Sequence, residues 1–277
     1  MNENMTHEAG TPAAPPPLAS WWDDTGMLYV GLSVLGAVAG GALAQLVWSS
    51  QPQQSTQGTM SIAAIVLSQV QFGSFHGAAI GIAQWIVLHR LVRRALRAVS
   101  GRGLSQPERR LSRDTALWIV ATVAGGSAAS ALGGAISGLL VQAQAYALLG
   151  LPSVILHGLL GGGVLGTAQW LVLRRHVPGA RTWIRSTIGG NLLGQFVSYF
   201  AWRFMLARLM SASPTTASLT TGQQMLLGAV WTVPAILILA VFQARRLKRL
   251  APGWLERMHG AARKEGSVGR NRVAGSG

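Results

Sequence analysis

Residues 27–71 contain no Asp, Glu, Lys or Arg. A stretch of that length without charge cannot cover itself with water in an ordinary globular fold, whereas a bilayer tolerates it. Six apolar segments can be marked along the chain, at 27–48, 60–89, 116–141, 152–174, 183–208 and 224–243. Each is long enough for a helix to cross the hydrocarbon, which takes about 20 residues. The spacing therefore predicts an all-α polytopic membrane protein with six transmembrane helices.

Composition decides between this and a nucleic-acid binder, which a net charge of +15 would otherwise suggest. Only 11% of residues are charged and 49% are hydrophobic, so there is too little charge for a soluble surface. The arginines gather between the apolar runs instead of forming a face. Arg90, Arg93, Arg94 and Arg97 open the connection 90–115, and Arg174 and Arg175 lie in the connection 174–182. The alternate connections carry no Lys or Arg. By the positive-inside rule both termini lie on the cytoplasmic face of a bacterial inner membrane, and the arginines meet anionic lipid headgroups there. Nucleic acid is not an expected partner. A membrane protein or a second copy of the chain is.

The expected organisation is a disordered, acidic and Pro-rich tail at 1–24, a transmembrane domain at 25–245, and a basic disordered tail at 246–277. Two readings of the region around the second span stay open. Residues 60–76 either join 77–89 in one helix or meet it at a kink near Gly73–Gly77. The basic connection either extends the span as an amphipathic helix or is a plain loop.

The ten residues "GIAQWIVLHR" at 81–90 recur as "GTAQWLVLRR" at 166–175. Aligning Gly77 with Gly162 also pairs Gly81 with Gly166, Gln84 with Gln169, Trp85 with Trp170, and Arg90 with Arg175. A second register pairs Trp118, Thr122 and Gly125 with Trp183, Thr187 and Gly190. The chain then reads as three parallel hairpin repeats, 27–89, 116–174 and 183–243, the third having lost the Gln-Trp pair.

On a helix turning 100° per residue, Gly77, Gly81 and Gln84 share one face, as do Gly162, Gly166 and Gln169. Glycines four apart admit a neighbouring helix closely, and an amide beside them forms a polar clasp across the contact. Gly190, Asn191, Gly194 and Gln195 restate that theme in the fifth span. The pattern G-x-x-Q-W-x-x-L-x-R resembles a group of uncharacterised bacterial multi-span membrane proteins with Gly-rich hairpins. The resemblance covers about residues 27–245 and implies a fold, with no activity or site.

The acidic residues Glu3, Glu8, Asp23, Asp24, Glu108, Asp114, Glu256 and Glu265 all fall outside the apolar segments. Intramembrane carboxylate chemistry is thereby removed, and no catalytic or metal-ligating set is expected. The chain has no Cys. His76 and His157 stand at membrane depth, where imidazole can ligate a haem or chlorophyll-type pigment. Three functions follow as expectations. The first is a non-catalytic structural or interaction subunit of a membrane assembly. The second is a transporter or channel for a small neutral or anionic solute. The third is a pigment- or haem-binding subunit.

Overall fold

The computed structural model describes residues 18–50, 61–100, 107–145, 150–175, 177, 179–212 and 221–274. The described residues form six helices: α1 (Leu18–Ser50), α2 (Ile62–Ser100), α3 (Pro107–Gln142), α4 (Leu151–Leu173), α5 (Thr182–Ala212) and α6 (Thr221–Ala274). The chain is polytopic and all-α. Five helices contain apolar stretches able to cross a membrane: Thr25–Leu43, Ile62–Arg90, Ala116–Gln142, Leu151–Leu173 and Met225–Leu250. The sixth, α5, is long enough but carries Arg185, Arg203 and Arg208.

Several boundaries differ from the sequence expectation. α2 runs unbroken from Ile62 through Gly73–Gly77 and on to Ser100, so 62–76 and 77–89 belong to one helix. The stretch 90–100 continues that helix, and α3 begins at Pro107, a residue suited to a first helical turn. The connection 90–115 is thus mostly helical. Residues 18–24 belong to α1, and residues 246–274 belong to α6 where an irregular tail was expected. The good helix formers in "LERMHGAARK" favour that continuation. The rest of the expected N-terminal tail, 1–17, lies outside the described residues.

Each helix packs on its neighbours in chain order, and α1 closes on α6. The helices make a closed ring rather than a bundle with a central helix. Glycine sets how closely they approach. A Cβ on Gly36 would stand 2.6 Å from the Ala79 carbonyl oxygen, and one on Gly194 2.6 Å from that of Ala235. Gly81 lies against Ile119 and Thr122, and Gly166 against Ile184 and Thr187. Large apolar side chains such as Leu35, Val120, Leu156 and Phe204 point outward, while Gln84, Gln169 and Gln243 are buried. This apolar exterior around a polar interior suits a surrounding of lipid.

A candidate solute-binding cavity above a ring of amides

Three helix faces bring the polar interior together. Trp118 and Thr122 lie four apart on α3, one turn from each other, and Trp183 and Thr187 do the same on α5. Tyr29 and Ser33 take that spacing on α1. Each hydroxyl donates back to the aromatic residue's carbonyl: Ser33 at 2.7 Å, Thr122 at 2.9 Å and Thr187 at 3.0 Å. With its proton so engaged, each hydroxyl oxygen is left as an acceptor toward the interior.

The glutamines of α2, α4 and α6 fill the centre. Gln84 Nε2 donates to Gln243 Oε1 at 3.1 Å, and Gln243 Nε2 donates to Gln169 Oε1 at 3.1 Å. Gln169 Nε2 donates to Gln84 Oε1 at 3.4 Å, which closes a three-membered ring. Each amide oxygen also accepts from an aromatic residue. Trp118 Nε1 donates to Gln84 at 3.3 Å, Trp183 Nε1 to Gln169 at 3.0 Å, and the Tyr29 hydroxyl to Gln243 at 3.0 Å. The second N–H of Gln169 reaches Thr122 at 3.1 Å, and that of Gln243 reaches Thr187 at 3.4 Å.

Indole N–H is a donor only, so it fixes which end of Gln84 and Gln169 is oxygen. The sense of the ring follows from that choice. Gln169 and Gln243 use their whole hydrogen-bonding capacity of two donated and two accepted bonds. Below the ring, toward the end bearing Arg90 and Arg175, Leu88, Leu173 and Leu247 join one buried apolar cluster with Trp118 and Trp183. The two indoles meet edge to face, centroids 5.6 Å apart. That end of the helix ring is closed.

Above the amides the interior opens into a cavity of about 660 Å³. Its wall reaches from Gln84 to Ile65 along α2, a rise of about 28 Å at 1.5 Å per residue. Gln69, Ser130, Gln195, Tyr199 and Thr232 supply polar groups to the wall, and among the described residues no Asp, Glu, Lys or Arg lines it. The floor is the glutamine ring.

The expected site residues divide between these regions. Gln84 and Gln169 join as a clasp, at the centre of the molecule. Gly77, Gly81, Gly162, Gly166, Gly190 and Gly194 make close helix contacts. Asn191 donates to the Gly158 carbonyl at 3.1 Å, while Gln195 faces the cavity. Trp85 and Trp170 stand outside the ring, half-buried, with the Arg174 guanidinium 5.0 Å above the Trp170 ring. Arg90, Arg93, Arg174 and Arg175 are exposed, and the side chains of Arg94 and Arg97 lie outside the described residues.

His76 and His157 both line the cavity. His157 Nδ1 bonds the Ser153 carbonyl at 2.7 Å, and its Nε2 edge packs on Gly133.

One expectation needs correction. The third hairpin keeps its glutamine: Gln243 takes the place of Gln84 and Gln169 in the ring. Leu247 and Arg249 follow it at the spacing of Leu88 and Arg90, and of Leu173 and Arg175. Only the tryptophan is replaced, by Ala244, and that position takes no part in the amide ring. Tyr29 was missed for a similar reason, a phenol standing where the other hairpins have an indole. The shared signal was Tyr/Trp-x-x-x-Ser/Thr-x-x-Gly, present at 29–36, 118–125 and 183–190.

Comparison of the chain with family models, with curated proteins and with solved structures gives no match.

Proposed function

We propose that this protein is a membrane-embedded carrier that binds a small, uncharged, hydrogen-bonding solute in its central cavity. The observation that carries the reading is a wall of amides, hydroxyls and imidazoles without a charged residue, above a floor that closes one end. Apolar pockets with a few convergent polar groups are the usual form of a small-molecule site. An ion of either sign would meet no counter-charge there, which favours a neutral solute.

The alternative, a structural subunit of a larger assembly, drew its support from abundant glycine faces. Those faces contact neighbours within the chain, which favours the binding reading. The activity so proposed is transport and not catalysis. We also infer that the ring arose from three copies of one hairpin, each contributing an aromatic donor, a hydroxyl and a glutamine. From the arginines gathered at the basic end and the positive-inside rule, we further infer that this end faces the cytoplasm of a bacterial inner membrane.

Uptake of radiolabelled glycerol, urea and erythritol into vesicles carrying the protein tests this. Saturable uptake of at least one, lost in Gln69→Leu and Gln195→Leu while thermal stability holds, is the expected result. Uptake no faster than in protein-free vesicles for all three would sink it.

A further inference from the structure

The three seams between hairpins are not alike. At the first, α2 presents Gly73, Gly77 and Gly81 to α3, with Gly73 so close that a Cβ would lie 2.6 Å from the Gly126 carbonyl oxygen. At the second, α4 presents Gly158, Gly162 and Gly166 to α5, where a Cβ on Gly158 or Gly162 would lie 2.8 Å from a Cα. Counting back from Gln243 as from Gln84 and Gln169, α6 carries Thr232, Ile236 and Ala240 at those three positions. Without glycine, α6 cannot approach α1 as the other pairs approach, and this contact is the slightest in the ring.

The consequence is an apolar groove of about 470 Å³ in the outer half of that seam, between Val38, Gly41, Met225, Gly228 and Val233. Phe72, Trp202, Trp231 and Thr232 line both this groove and the central cavity. The two spaces therefore adjoin, parted only by those shared side chains. Two glycines of the groove differ in kind from those of the close seams. A Cβ on Gly228 would meet nothing within 4 Å, and one on Gly41 would meet only the His76 ring, at 3.9 Å. Their missing side chains make space instead of a close approach. Behind the groove, His76 stacks on Phe72 with centroids 5.2 Å apart, and its buried Nδ1 has no hydrogen-bond partner among the described residues.

We propose that the α1–α6 seam is a lateral portal from the bilayer, holding the acyl chain of a lipid whose uncharged, hydroxyl-bearing headgroup lies in the central cavity. The occupant follows from what the opening touches. Its mouth lies among exposed Val38 and Met225, on the surface that faces hydrocarbon. Its inner end meets a hydrogen-bonding, charge-free cavity, which excludes a phosphate or ammonium headgroup. A chain in the groove places a headgroup hydroxyl beside His76. This inference rests on the solute-binding reading of the cavity and narrows its ligand to a neutral amphiphile.

The test uses the full chain in phospholipid vesicles and a diazirine-bearing 1-monooleoylglycerol, with adducts mapped by mass spectrometry. Adducts at Val38, Met225 and Val233 that a hundred-fold excess of monooleoylglycerol removes are the expected result. Labelling there falls at least five-fold in Gly228→Leu and in Gly41→Val, and is unchanged in Gly31→Leu, an exposed glycine of α1 outside the groove. Non-saturating labelling spread equally over Leu35, Leu156 and Phe204 overturns the portal. So does disulfide dimerisation of a Val38→Cys variant in this Cys-free chain, which would make the seam a contact between copies. Glycerol uptake that persists while seam labelling fails to saturate leaves the cavity reading standing and removes only the lipid. Loss of both removes both.

Discussion

The two halves of this helix ring use the same residue types to opposite ends. At the basic end, amides, hydroxyls and indoles saturate one another, and leucines seal what lies beyond. In the other half, Gln69, Gln195 and Tyr199 face a cavity. A hydrogen bond between helices in a membrane is worth only about 0.6 kcal/mol on average, but a buried group left without its partner costs about 1–3 kcal/mol. The closed half therefore stabilises mainly by completeness, since every member lost orphans several others. The open half holds polarity that stability does not require. Polar groups that the fold does not need for itself are the ones free for a ligand.

Substitutions that separate the halves test this contrast. The largest effect is expected for Gln169→Leu, which deprives Trp183 Nε1 of its acceptor and breaks the ring on both sides. A loss of about 3 kcal/mol is expected from several orphaned groups together, measured as reversible unfolding in detergent. A loss no greater than that of Gln195→Leu would erase the distinction between the halves. Next comes Gly36→Leu, whose Cβ would collide with the Ala79 carbonyl oxygen at 2.6 Å. About 2–3 kcal/mol is expected from that overpacking, against less than about 0.5 kcal/mol for Gly228→Leu. Equal losses would mean that the α1–α6 seam packs like the others. Trp183→Phe removes one donor and leaves a small void beside Trp118, and about 1–2 kcal/mol is expected. Smallest of all in stability is Gln195→Leu, within about 0.5 kcal/mol, while glycerol uptake falls.

How much of this was legible beforehand depended on whether a property is local. Apolar runs and arginine clusters are local, so the all-α polytopic class was readable from them. Gly77, Gly81 and Gln84 with their counterparts at 162, 166 and 169 were also readable, because helical periodicity puts them on one face. Gln243 was hidden by its neighbour, since Ala244 breaks the Gln-Trp pair without touching the amide that matters. Tyr29 was hidden by chemistry, a phenolic hydroxyl doing the work of an indole N–H. That the glutamines meet one another, instead of each clasping an adjacent helix, depends on ring closure between α1 and α6. No spacing within a hairpin encodes that closure. The cavity was out of reach for the same reason: its volume belongs to the space between faces and to no segment.

The closure of α1 on α6 also makes chain order incidental. A circle of three hairpins has no first member, and the break in this one falls between the third and the first. Moving that break to the turn around Gly179, with a linker from the end of α6 to the start of α1, leaves every aromatic–glutamine partnership with the same neighbours. A circular permutant that begins at α5 is therefore expected to reach the same ring.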